Sequence, residues 1–273
     1  MDMDFNKVSF VVSVEGLSDM LIAILSDAGY DGFEETENEL LAYIPVSQFD
    51  ESFLESISEE YNIKYQTSII PKQNWNQVWE SNFEPVIIHD YCTIRASFHD
   101  IKVNTKYDII VTPKMSFGTG HHATTQLMML LMKNIPFEGL KVVDFGTGTG
   151  VLAILAEKLG AKTIIAIDND EWAVTNAKEN AENNGCNTIH VSKASINEIE
   201  FEKVDIILAN INRHILIMYM QELANRLSIA GNLLISGLLK EDKEIILESV
   251  ENVCLKLKEI KEQNNWIAMR LGW

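Results

Sequence analysis

Residues 141–170 read KVVDFGTGTGVLAILAEKLGAKTIIAIDND, and the order of features along them decides the fold. An apolar run around Val142 and Val143 enters a turn built on Gly146, Gly148 and Gly150. Helix formers follow from Val151, and a second apolar run, Ile164 to Ile167, ends on Asp168. Strand, glycine turn, helix, strand is the βαβ unit of an open α/β sheet. Its strands are buried on both faces and read as continuous apolar runs. Glycines in such a turn let the backbone bend sharply and let a ligand lie against it. A carboxylate about twenty residues further on, at the end of the second strand, can accept both hydroxyls of a ribose.

Two ligand classes use this layout. A dinucleotide site requires G-x-G-x-x-G, with the pyrophosphate on the helix N-terminus. Here Val151 stands where the third of those glycines belongs, and Gly150 makes the spacing G-x-G-x-G. That spacing, with Asp144 just ahead of it, is the first motif of the S-adenosylmethionine-dependent methyltransferases. Adenosylmethionine has no phosphate to cradle; its ammonium and sulfonium suit an anionic strand end. The expected cofactor is therefore S-adenosyl-L-methionine, with Asp144, Gly146, Gly148 and Asp168 as contacts.

Further along, VDIILANI and GNLLISGLL repeat the buried-strand pattern, and CLKLKEIKEQNNWIAMRLGW reads as two more strands around an Asn-Asn turn. In amino-group methyltransferases an Asn or Asp at the end of the fourth strand faces the methyl group, often followed by prolines and an aromatic. Here Asn210 holds that place, but Ile211 and Asn212 follow it. Asn210 is the expected catalytic residue, its side-chain carbonyl accepting a hydrogen bond from the attacking amine.

Upstream, the first seventy residues alternate strands and helices in the order βαββαβ, the ferredoxin-like plan. One helix is expected to be capped by Ser18 and stopped near Gly29. A turn is expected around Glu37-Asn38, and a second helix to start at Ser47. Trp75, Trp79 and Phe83 then recur every four residues, one stripe of a short helix ending before Pro85. From Tyr91 to Val111 short runs read as strands, and HHATTQLMMLLMKNI as a helix. The expected division is 1–70, a ferredoxin-like substrate-recognition domain; 71–90, a helical linker; and 91–273, the catalytic domain.

The formal net charge is −18, from 40 acidic and 22 basic residues, and no Lys/Arg cluster stands apart. Such a surface repels nucleic-acid phosphate and attracts a basic partner. No apolar run reaches membrane-spanning length, and the opening MDMDFNKVSF lacks the apolar core of a signal peptide. Cys92, Cys186 and Cys254 are isolated, which fits a reducing compartment. Adjacent His121 and His122 cannot both face one site on a regular element, so no metal site is expected. A cytoplasmic monomer is expected, with no membrane and no direct nucleic-acid contact.

One oddity remains: FGTG occurs twice, at Phe117–Gly120 and at Phe145–Gly148. The first copy continues into HHATT. In order and spacing, VTPKMSFGTGHHATT, VVDFGTGTGVLAILAEKLGA, AIDND, LANI and SGLLKED resemble the PrmA family, the methyltransferases of large-subunit ribosomal protein L-eleven. The resemblance extends to NWNQVWESNFEP and NNWIAMRLGW, and is weakest over the first seventy residues. It implies a Rossmann-like class I S-adenosylmethionine-dependent methyltransferase domain behind a smaller N-terminal ferredoxin-like α+β domain that recognises the substrate. It implies cofactor contacts from Thr125, Gly146, Asp168 and Asn210. The FGTGHHATT segment would close over the cofactor with Phe117 and Thr119 beside it. The implied reaction is methylation of the N-terminal α-amine and lysine side chains of ribosomal protein L-eleven. The alternatives are a methyltransferase of another protein, a small molecule or RNA, and an adenosylmethionine-binding module without activity.

Overall fold

The computed structural model describes residues 5–12, 17–36, 39–70, 83–114, 117–198 and 203–273. The chain divides into two compact units, Met1–Asn82 and Phe83–Trp273. The Trp75/Trp79 stripe and the Glu37-Asn38 turn lie outside the described residues.

In the first unit β1 (Phe5–Val11), α1 (Leu17–Asp27), β2 (Gly32–Glu35), β3 (Glu39–Pro45), α2 (Glu51–Tyr61) and β4 (Tyr65–Ile70) follow the βαββαβ order. The antiparallel sheet is ordered β2-β3-β1-β4. Alternation along the strands puts Val8, Phe10, Leu40, Ala42 and Ile44 on one face. They pack there with Leu21 and Leu25 of α1 and with Leu54 and Ile57 of α2. Both helix starts differ from the sequence reading. Ser18 lies inside the first turn of α1 and does not cap it. Helix α2 is capped by Asp50, whose carboxylate accepts Ser52 N–H at 3.0 Å and Phe53 N–H at 3.4 Å. Ser47 sits in a short 3-10 turn before it. A carboxylate directly beside free N–H groups is the better cap, and its charge also suits the helix N-terminus.

The second unit opens with a small sheet, β5 (Val86–Ile88), β6 (Cys92–Arg95) and β7 (Tyr107–Ile110). Strand β5 pairs with β6, so residues 83–90, read from sequence as linker, are described within this unit. Then come α3 (Ala123–Met132), β8 (Lys141–Phe145), α4 (Val151–Lys158), β9 (Thr163–Asp168), α5 (Glu171–Asn183) and β10 (Ile189–Lys193). They are followed by β11 (Val204–Asn210), α6 (Arg213–Arg226), β12 (Leu227–Leu239), α7 (Lys243–Asn252), β13 (Lys256–Gln263) and β14 (Trp266–Gly272).

These form a seven-stranded sheet in the order β10-β9-β8-β11-β12-β14-β13. Strands β8 to β12 pair in parallel, and β14 runs antiparallel between β12 and β13. The hairpin β13–β14 turns on Asn264 and Asn265, with φ of 50° and 65°. That pair of left-handed residues is what a two-residue hairpin needs. Each central strand feeds two cores. Val142 and Leu208 pack under α3 and α4, and Val143 and Ile207 pack under α6 and α7. Strand order reverses between β8 and β11, and ligands of open α/β sheets bind in the crevice at the carboxyl ends of strands at such a switch point. Among the described residues no helix is long and apolar enough to cross a membrane.

Candidate active site

The carboxyl ends of β8, β9, β11 and β12 open into one cavity of about 650 Å³, a size typical of small-molecule sites. Its floor is the turn after β8. The N–H groups of Gly146 and Thr147 both donate to the Ile167 carbonyl at 2.9 Å. Gly148 N–H donates to Asp168 Oδ2 at 2.9 Å, and Asp170 N–H to Asp168 Oδ1 at 3.1 Å. Asp168 thus braces the glycine turn while facing the cavity. Asp170 lines the cavity too, and caps α5 by accepting Trp172 N–H. Among the described residues, two carboxylates and no Lys or Arg line this space, which favours a cationic ligand over a phosphate.

The two FGTG stretches meet at Thr149. Its N–H donates to the Phe117 carbonyl at 3.0 Å and its hydroxyl to the Gly118 carbonyl at 2.7 Å. From behind, Asn180 Nδ2 donates to the Thr149 carbonyl at 2.8 Å, while Asn180 Oδ1 accepts Thr112 N–H at 2.7 Å. The approach depends on Gly148, whose φ is 56°. A Cβ there would lie 2.3 Å from the Phe117 oxygen. Phe117 then stands in an aromatic wall with His122 and Trp266, at centroid distances of 5.4 and 4.5 Å from the His122 ring. His122 Nδ1 accepts Thr124 N–H at 3.3 Å and caps α3, so a neutral ring carries its proton on Nε2.

Of the expected site residues, Phe117, Gly146, Gly148, Asp168 and Asn210 line the cavity. Three do not. Thr125 is fully buried and takes a 3.4 Å hydrogen bond from Asn210 Nδ2, so it supports Asn210 from behind while Thr124 forms the wall. The Thr119 hydroxyl pairs with His121 Nδ1 at 3.0 Å, and His121 Nε2 bonds the Glu84 carbonyl. Asp144 is 1% exposed, held by the Thr147 hydroxyl at 2.6 Å and by Ala153 N–H in the first turn of α4. Gly150, the N-cap of α4, has no side chain to offer, and Asp144 supplies the missing acceptor.

Burial pushes the Asp144 carboxyl up to about 7, against the two hydrogen bonds that lower it, with the nearby Asp168 charge raising it further. The folded state then holds a proton that the unfolded chain releases. Stability from this group is full below about pH 4 and lost as pH rises through about 7. Replacing Asp144 with Asn keeps an acceptor for Ala153 N–H and removes the titration. The variant is expected to flatten the fall in thermal midpoint between pH 5 and 8. Parallel curves for the two proteins would show that Asp144 does not titrate in this window.

Tyr219, Trp266, Ala194, Ser195, Ile215 and Gly237 also line the cavity and were not read from the sequence. Asn212, Ile215 and Tyr219 recur at helical spacing along the face of α6 next to Asn210, a signal available once β11 is placed. Ala194 and Ser195 follow β10, itself missed. Trp266 arrives on β14, and no sequence period announces an antiparallel strand inserted between β12 and β13.

A doubly wound sheet in this order, with an acidic glycine-turn cavity at its switch point, defines a Rossmann-like methyltransferase of the S-adenosylmethionine-dependent class. The family model of the ribosomal protein L11 methyltransferases (PrmA) matches residues 21–272, and the chain belongs to that family. It is 41% identical over 266 residues to the ribosomal protein L11 methyltransferase of Porphyromonas gingivalis, covering 95% of this chain and 92% of that protein. The corresponding protein of Chlorobaculum tepidum is 35% identical over 278 residues, covering 96% and 95%. The crystal structure of a ribosomal protein L11 methylase from Lactobacillus delbrueckii subsp. bulgaricus is similar with a TM-score of 0.64 at 29% identity, covering 70% of this chain and 98% of that one.

Proposed function

We propose that this chain transfers methyl groups from S-adenosylmethionine to amino groups of ribosomal protein L-eleven, both lysine side chains and the N-terminal α-amine. The observation that carries the amine reading is at the end of β11. Asn210 Oδ1 is shielded from solvent and has no hydrogen-bond partner among the described residues, although Asn210 is on the cavity wall. A buried acceptor without a partner costs about 1–3 kcal/mol, and a substrate N–H would satisfy it.

The residues fit the cofactor. Gly146 and Gly148 permit close approach, Asp168 offers carboxylate oxygen to a ribose diol, and the Asp168/Asp170 pair suits a positively charged ligand. When bound, adenosylmethionine supplies a methyl group on a cationic sulfur. The chain's task is to present a neutral amine. A lysine of pKa about 10.4 is neutral in roughly one molecule in 2,500 at pH 7, a handicap of about 4.6 kcal/mol. With adenosylmethionine bound, burial beside its cationic sulfonium would favour the neutral amine. Asn210 Oδ1 accepts one of its N–H bonds and so orients the lone pair, which removes an entropic barrier. The aromatic wall of Phe117, His122 and Trp266 bounds the cavity and limits water around the amine.

The first unit is read as the substrate-recognition domain and the acidic surface as attractive to a basic ribosomal protein, in a cytoplasmic monomer without membrane or nucleic-acid contact. The test is methyl transfer to purified ribosomal protein L-eleven, followed by intact mass. Whole-methyl mass increments that peptide mapping puts on lysines and the N-terminus are expected. Methylation of RNA alone, or cofactor binding with no transfer to any ribosomal protein, would reject the reading.

A further inference from the structure

Asn210 can aim an amine only if the loop it begins holds still, yet residues 210–213 read Asn-Ile-Asn-Arg, with no proline to stiffen them. The loop is held instead from both sides. Ile211 lies against the β8 turn, where a Cβ added to Gly146 would meet Ile211 Cγ2 at 2.3 Å. On the other side lies β12. Its pairing with β14 shifts register between Ile235 and Leu238, where Ser236 and Gly237 together oppose Ala268. This is a β-bulge, a device common beside active sites. At its centre Gly237 has a φ of 85°, and a Cβ there would lie 2.2 Å from the Ile211 carbonyl oxygen and 2.7 Å from its carbon. Ser236, register partner of Asn210, is fully buried and donates its hydroxyl to the Ile267 carbonyl at 2.8 Å.

The far end of the loop is tied to the same strand. Arg213 Nη1 pairs with Asp242 Oδ1, and Asp242 Oδ2 accepts Leu239 N–H at 2.8 Å. Asp242 is only 6% exposed, so this ion pair is screened less than a surface pair. Between the two ends Asn212 caps α6, its Oδ1 accepting Ile215 N–H at 3.1 Å. Bulge, ion pair and cap together fix where β11 ends and α6 begins.

We infer that Gly237 and the Arg213–Asp242 pair are positioning residues that aim the Asn210 side chain, doing by packing and charge what prolines would otherwise do. The inference rests on the role of Asn210 given above and assigns the residues that act through it.

The variants are Arg213→Met, Arg213→Lys, Gly237→Ala, Asn210→Ala and the double variant Asn210→Ala/Arg213→Met. Thermal unfolding and calorimetric binding of the cofactor establish that each is folded. Arg213→Met is expected to lower kcat about tenfold with both KM values within about twofold, and Arg213→Lys to recover most of that loss. Gly237→Ala is expected to lower kcat more. In the double variant the Arg213 effect should vanish, because a residue that acts through Asn210 has nothing left to aim. Unchanged kcat in Arg213→Met, or a double variant slower than Asn210→Ala by the full Arg213 factor, would overturn the inference while leaving the Asn210 role intact. Unchanged kcat in Asn210→Ala would remove that role and this inference with it.

Discussion

Asn210→Ala is expected to lower kcat for methyl transfer by about a hundredfold or more, a loss of about 2.7 kcal/mol of transition-state stabilisation, while the cofactor dissociation constant moves less than about threefold. The asymmetry follows from the geometry. Asn210 Nδ2 already has a protein partner in Thr125 Oγ1, whereas Oδ1 has none among the described residues. The amide is therefore held through Nδ2, while Oδ1, on a residue of the cavity wall, is left without a protein partner for a substrate N–H to satisfy. The Gly148–Asp168 bond and the Thr149 bonds to Phe117 and Gly118 do not involve it. Truncation leaves them in place. Asn210→Asp separates acceptor chemistry from shape. Its carboxylate still accepts an N–H bond, so activity is expected to lie between Asn210→Ala and the natural protein. Single-turnover rates at saturating cofactor decide the matter. A variant that binds cofactor poorly but turns over normally would show that Asn210 serves binding instead.

What could be read in advance follows a physical division. Strands β8, β9, β11 and β12 each carry a short, largely buried apolar run, Val142–Val143, Ile164–Ile167, Ile206–Ala209 and Leu233–Ile235, whose length and flanking glycines and polar residues mark them as strands. Gly146, Gly148, Asp168 and Asn210 were legible because each stands where such a run ends. Strand β10, IHVSK, is an edge strand, half-exposed along its length, with no apolar run and an alternation that lasts only from Ile189 to Ser192. With it went Ala194 and Ser195. Neighbouring residues in a motif also look equivalent when they are not. Thr124 and Thr125 sit side by side at the start of α3, and only packing shows that the first lines the cavity while the second supports Asn210. Asp144 reads as a ligand contact because it precedes the glycines, but one residue of strand alternation turns it inward to cap α4. Gly237 looked like an ordinary residue of a buried strand. Its purpose is set by Ile211, twenty-six positions earlier in the chain.

The duplicated FGTG leads to the other large effect. Gly148→Ala is expected to weaken cofactor binding by at least about a hundredfold. A methyl at that position would lie 2.3 Å from the Phe117 carbonyl oxygen at a left-handed φ of 56°. A side chain there strains the backbone by about 1–2 kcal/mol before any collision is counted. Relief requires the two loops to separate, which breaks the Thr149 N–H bond to Phe117 and moves Phe117 away from His122. Thr149→Val is the graded companion. It keeps size and β-branching but removes the hydroxyl bond to Gly118, leaving that carbonyl without its Thr149 donor. Losing one such bond is worth about 1–3 kcal/mol, so binding should weaken roughly tenfold, and Thr149→Ser should restore it. In both variants kcat at saturating cofactor is expected to fall much less than affinity, the reverse of the pattern for Asn210→Ala. If Gly148→Ala bound cofactor normally, the first FGTG loop would have no part in holding it, and the contact between the loops would be packing alone.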